Sequence, residues 1–177
     1  MLKIAKLGNP ILRKVAASVD PREIKSLELQ RLIDEMFETM YDEPGIGLAA
    51  PQVGVGLRLF IANLGKDSAS AIAVLNPVIS ELRGSAVEEE GCLSIPGVRA
   101  KVKRFASLKL TGTDLNGSPI ELDAKDYVAR ILQHETDHLN GVLFINKIGM
   151  TAKLMIRRVL ADLEEDYQMA HKRKPGS

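Results

Sequence analysis

Gln133-His134-Glu135-Thr136-Asp137-His138 holds two of the three histidines in this chain. They stand four residues apart, so on a helix both imidazoles share one face, with the Glu135 carboxylate beside them. This HExxH pattern is suited to holding a divalent metal and activating a water on it. The flanking residues extend the helix over about 125–140, with Gly141 as a left-handed C-cap. Val128, Ile131, Leu132, Glu135 and Leu139 share or border its inward face, and His134 and His138 lie on the adjoining stripe. A charge on a core-seeking helix needs a reason. A metal hydrolase supplies one; a chance match on an amphipathic helix is the alternative.

Outward from this helix, residues 1–20 read as an extended arm ending at Asp20-Pro21. Leu29, Leu32, Ile33, Met36, Phe37 and Met40 recur at helical spacing, which predicts an amphipathic helix over 24–41, stopped by Pro44-Gly45. The middle of the chain is β-like. Runs at 58–64, 71–75, 78–82, 98–102 and 106–110 read as strands, and Asn116-Gly117 signals a hairpin. A last amphipathic helix is expected over 151–170, followed by the basic tail His171-Lys172-Arg173-Lys174.

Composition narrows the function classes. At 177 residues, 45% hydrophobic and 27% charged, residues 1–177 read as one globular catalytic domain, with the C-terminal helix and tail over about 151–177. A net charge of +1, few aromatics and no Trp argue against nucleic acid as the main partner. Cys92 is the only cysteine, which excludes an internal disulfide framework. The N-terminus lacks an apolar signal region, and no apolar run is long enough for a membrane span. The expectation is a cytoplasmic monomer with no membrane partner.

Two histidines leave a catalytic metal site short of its usual third protein ligand. A third histidine six residues after His138 would complete one protease signature, but Phe144 stands there. Glu164 or Glu165 would complete another, although Leu163-Glu164-Glu165-Asp166 reads as a solvated helix face. The remaining option is Cys92, in Glu90-Gly91-Cys92-Leu93-Ser94-Ile95-Pro96-Gly97. A lone cysteine is more often a small buried hydrophobe, but a glycine-flanked loop suits a thiolate ligand.

Three segments taken together carry a resemblance. Gly45-Ile46-Gly47-Leu48-Ala49-Ala50-Pro51-Gln52, Glu90-Gly91-Cys92-Leu93-Ser94 and Gln133-His134-Glu135-Thr136-Asp137-His138 resemble the three signature motifs of the peptide deformylases, in that family's order. The long C-terminal helix is similar to that of the Gram-negative bacterial form. The resemblance implies an α+β fold, with antiparallel β-sheets wrapped around a central HExxH-bearing helix, an N-terminal helix and a C-terminal helix. It implies Cys92, His134 and His138 as ligands of one Fe²⁺ ion, replaceable by Zn²⁺, Ni²⁺ or Co²⁺. It implies Glu135 as proton carrier, and the Gln52 side-chain amide and Leu93 backbone N–H as oxyanion donors. The implied reaction removes the formyl group from N-formyl-methionyl nascent peptides and releases formate.

For the substrate, the same resemblance points to backbone hydrogen bonds from Ile46, Gly47 and Gly91. It draws a methionine pocket from Ile46, Val128, Ile131 and the aliphatic part of Arg99. Arg130 stands where an apolar residue is expected near the pocket rim. The C-terminal helix would dock on the ribosome near the peptide exit. Two rival functions stand beside this one: an HExxH metallopeptidase with a downstream Glu ligand, and a non-catalytic module that binds formyl-methionine.

Overall fold

The structure, a computed structural model, describes residues 1–65 and 70–172. Helix α1 spans Leu27–Asp42, and the Ser26 hydroxyl caps it by accepting from the Leu29 N–H at 3.2 Å. The strands are β1 (Gly47–Ala49), β2 (Leu59–Asn63), β3 (Ala71–Arg83), β4 (Ala86–Cys92), β5 (Ile95–Arg104), β6 (Ser107–Thr113) and β7 (Pro119–Lys125). Helices α2 (Asp126–Leu139) and α3 (Met150–Lys172) follow. All strand pairings are antiparallel, in a five-stranded sheet ordered β1-β2-β3-β6-β7 and a two-stranded β4-β5 hairpin. The fold is the α+β arrangement expected.

Strand β2 is buried on both faces, and its alternation divides the core. Leu59 and Ile61 pack with Ile33, Met36 and Met40 of α1, whereas Phe60 and Ala62 pack with Ala129, Ile131, Leu132 and Leu139 of α2. Helix α2 therefore lies across the five-stranded sheet with one apolar stripe held down. Its other side meets the β4-β5 hairpin. Val98, Ala100 and Val102 of β5 alternate inward to join Leu143, Phe144, Ile145 and the arm residues Leu7 and Leu12. Helix α3 lies against this third cluster through Ile156, Leu160 and Leu163, and has no fully buried residue.

Several expectations needed revision. The runs 71–75 and 78–82 are one strand. Pro77 has no N–H to give the ladder, and β3 absorbs it with a register shift between Leu75 and Val78 and a left-handed Asn76 at φ 51°. The Asn76 amide then ties down the arm, accepting from the Val19 N–H at 2.8 Å and donating to the Val19 carbonyl at 2.9 Å. Strand β4 has no apolar alternation to reveal it. It contains Glu88-Glu89-Glu90 and owes its place to pairing with β5. Gly141 does end α2 in the left-handed region, at φ 68°. A Cβ there would fall 2.6 Å from the Arg13 carbonyl oxygen, so close packing of the arm also demands glycine. Arg173 and Lys174 of the basic tail lie outside the described residues.

Candidate active site

The three signature segments meet at one end of α2. Gln52 sits on a 3-10 turn (Ala50–Val53) after β1, Cys92 ends β4, Leu93 lies in the turn into β5, and His134, Glu135 and His138 come from α2. The arm straps the first two segments together. The Ala5 N–H donates to the Gln52 carbonyl at 2.7 Å, the Leu7 N–H to the Ser94 carbonyl at 2.9 Å, and Lys6 Nζ to the Leu93 carbonyl at 2.8 Å.

Cys92, His134 and His138 form a compact donor set, with all ligand-capable atoms within 4.8 Å of one another. Cys92 Sγ lies 3.3 Å from His138 Nε2, which lies 3.3 Å from His134 Nε2. Burial alone would raise the Cys92 thiol, but the two imidazoles outweigh it and hold the pKa well below the ordinary range. Burial likewise disfavours protonated His134, yet Cys92 and Glu90 raise its pKa to about 10. The thiolate and the imidazoles beside it thus stabilise one another's charged forms. One thiolate and two imidazoles suit a divalent transition metal. Glu164 and Glu165 are exposed on α3 and do not join this group.

Glu135 is not part of the donor set. It is 3% exposed, and its Oε2 is fully enclosed with no protein partner among the described residues, as is His138 Nδ1. Burial raises the Glu135 pKa to about 7 against the opposing pull of the histidines. Gly47 lets β1 pass directly over this carboxylate: a Cβ on Gly47 would lie 2.3 Å from Glu135 Oε1. The Gln52 amide, 2% exposed, is oriented by the Ala49 N–H, which donates to Oε1 at 2.9 Å. Its Nε2 donors consequently face Cys92 Sγ at 3.4 Å and Ser94 Oγ at 3.3 Å.

Behind the donor set lies a buried ionic network that the sequence did not disclose. Glu90 is 6% exposed and accepts from Arg104 Nε at 2.8 Å, Arg104 Nη2 at 2.9 Å and Arg130 Nη1 at 2.7 Å. Its Oε2 also lies 3.0 Å from His134 Nδ1 and so fixes the imidazole that presents Nε2 forward. Arg104 pairs with Asp137, which in turn holds Lys147 Nζ at 3.2 Å. Burial opposes the Glu90 charge, but Arg104 and His134 prevail and hold its carboxyl well below the usual range.

A cleft of about 550 Å³ opens beside Cys92, Gln52, His134 and Glu135. Ile46, Gly47, Gly91, Leu93, Arg99 and Ile131 are among the residues that line it. Val128 does not. It is half-buried and packs with the cluster around Phe60 that holds α2 to the sheet. Tyr127 and Arg130 occupy the cleft instead. Arg130 stands four residues before His134, a spacing that places it on the same helix face.

The chain is similar to known proteins in both sequence and fold. The sequence model described as "Polypeptide deformylase" matches residues 1–153. A curated peptide deformylase of Halothermothrix orenii is 43% identical over 156 residues, covering 88% of this chain and 99% of its own. The crystal structure of a peptide deformylase from Legionella pneumophila superposes with a TM-score of 0.85 at 39% identity, covering 99% of both chains. A Met-Ala-Ser-bound class I type b peptide deformylase from Acinetobacter baumannii gives a TM-score of 0.79 at 38% identity, covering 83% of this chain and 98% of that one. With the motifs brought together at one cleft and the likeness running through both sequence and fold, the chain belongs to the polypeptide deformylase family.

Proposed function

We infer that this chain hydrolyses the formyl amide of N-formyl-methionyl nascent peptides and releases formate. The observation that carries this reading is the convergence of Cys92, His134 and His138 beside an unpartnered, buried Glu135 at the head of a partly apolar cleft. The closely similar Acinetobacter baumannii protein is described as Met-Ala-Ser-bound. A peptide of that kind is what deformylation of formyl-Met-Ala-Ser would leave.

The donor set fits one divalent ion, held by Cys92, His134 and His138. Fe²⁺ is proposed as the native metal, with Zn²⁺, Ni²⁺ and Co²⁺ able to replace it. When bound, the metal supplies Lewis acidity that makes a water nucleophilic near neutral pH. Glu135 takes the proton of the attacking water and passes it to the departing amine, the role that its free Oε2 permits. The Gln52 Nε2 and the Leu93 backbone N–H donate to the oxygen that becomes negative as the formyl carbon turns tetrahedral. Support for Gln52 comes from the Ala49 N–H, which fixes the amide with its donors forward.

The first residue's side chain enters the cleft past Ile46 and Ile131, while Gly47 and Gly91 offer backbone to an extended peptide. Arg99, paired with Glu89 at 2.5 Å, borders the same opening. The exposed basic residues Arg157, Arg158 and, at the end of the helix, Lys172 support a docking role for α3 on ribosomal RNA near the peptide exit. A chain lacking residues 165–177 should then lose ribosome affinity while still deformylating a free peptide; unchanged affinity would sink the docking role. Release of formate from formyl-Met-Ala-Ser by the anaerobically Fe²⁺-loaded protein tests the activity itself.

A further inference from the structure

The cleft contains a guanidinium that formyl hydrolysis does not use. Arg130 lies on α2 four residues, about 6 Å along the axis, before His134. It is 7% exposed and lines the cleft beside Tyr127, Ile131 and Val98. A guanidinium carries five N–H donors. Nη1 donates to Glu90 Oε1 at 2.7 Å and to the Val102 carbonyl at 2.9 Å, and Nη2 donates to the Ala86 carbonyl at 3.0 Å. The Nε–H has no partner among the described residues, yet it is not one of the fully enclosed atoms lacking one. It is therefore not fully enclosed, and Arg130 is one of the residues that line the cleft. Contacts on three sides prevent the head from swinging away.

We propose that Arg130 is a specificity-determining residue, which lets the cleft accept N-formyl peptides whose first side chain carries an oxygen acceptor near its tip, methionine sulfoxide foremost. This rests on the deformylase reading above. A thioether sulfur is a weak acceptor and gains little from a guanidinium. A sulfoxide oxygen gains a charge-assisted hydrogen bond from a donor already held in place. In a wholly apolar pocket the same oxygen would be buried without a partner and rejected. Ile131, Val98 and Tyr127 still provide apolar contact for the methylenes, so methionine itself is retained.

The test compares kcat/KM of the metal-loaded full chain on formyl-Met-Ala-Ser and on the corresponding norleucine and methionine-sulfoxide peptides. The sulfoxide peptide is expected within about 10-fold of the methionine peptide, and Arg130→Met should lower the sulfoxide-to-norleucine ratio by about 10-fold or more, the scale of one charged hydrogen bond. Because the ratio is taken within one enzyme, a general loss of activity cancels. Should Arg130→Met fail to fold, Arg130→Lys, which keeps the charge but not the fork, should lower the ratio in the same direction. A wild-type sulfoxide rate more than about 100-fold below that of methionine, or an unchanged ratio in the variant that folds, overturns the proposal. Absence of turnover on formyl-Met-Ala-Ser instead overturns the deformylase reading itself.

Discussion

The backbone of Gly47 lies directly against the carboxylate of Glu135, so that a Cβ on Gly47 would stand 2.3 Å from Oε1 and 2.7 Å from the carboxyl carbon. Strand β1 thus fixes where the carboxylate can sit. Gly47→Ala should push Glu135 aside without touching Cys92, His134 or His138. Bound metal should remain at one ion per chain, while kcat falls by about 100-fold, the scale of an ångström-sized misplacement of a reacting group. Measured metal content and kcat check this; an unchanged kcat would show that the carboxylate position is not critical.

Glu135→Gln removes the proton carrier but keeps its shape. Metal binding should persist, and kcat on formyl-Met-Ala-Ser should drop by about 10²–10⁴-fold, the usual contribution of general acid–base catalysis. Retained activity would assign the proton transfer elsewhere.

Glu90 faces two buried guanidiniums and His134 at once. Glu90→Gln leaves Arg104 and Arg130 short of a counter-charge, and should cost on the order of 3–5 kcal/mol of stability. Metal affinity should fall by about 10–100-fold because His134 loses its orienting acceptor. The pH dependence follows from the depressed Glu90 carboxyl. A group with a folded pKa below its unfolded value stabilises above the unfolded pKa and loses that stabilisation as pH falls. Wild-type Tm should therefore decline below about pH 5 more steeply than that of Glu90→Gln. Parallel Tm profiles for the two proteins would contradict this.

A thiolate at an open, redox-active site invites oxidation. Aerobic incubation should inactivate the Fe²⁺ form faster than the Ni²⁺ form, with Cys92 climbing to sulfenic and higher acids detectable by mass. Equal decay of both forms, with Cys92 unmodified, would remove the cysteine from the explanation.

Much of this was legible in the residues because α2 announces itself at several levels. Its apolar period, its HExxH spacing and the Gly141 stop agree, and all three hold in the structure. The approach of Cys92 and Gln52 to that helix was reached through the resemblance, since no local pattern shows which strand end meets which helix face. Strand β4 escaped notice because its glutamates mask the period of two, and only its partner β5 shows inward alternation. Pro77 split one strand into two because a bulge is a tertiary accommodation, not a composition signal. Val128 was placed in the pocket through the resemblance, whereas it packs with the sheet-side cluster, and Tyr127 and Arg130 line the cleft. Arg130 stands out near the pocket rim, where an apolar residue is expected, but its pairing with Glu90, forty residues away in sequence, has no local signal.

The central claim is that Cys92, His134 and His138 hold the metal on which formyl hydrolysis depends. The most direct measurement is formate release from formyl-Met-Ala-Ser by anaerobically Fe²⁺-loaded protein, with metal content determined in parallel, for the wild-type chain and for Cys92→Ser. The expected result is stoichiometric metal and rapid formate release by the wild type, with both lost or sharply reduced in Cys92→Ser. Full metal content and full activity in Cys92→Ser, or no formate from the loaded wild type, would contradict it.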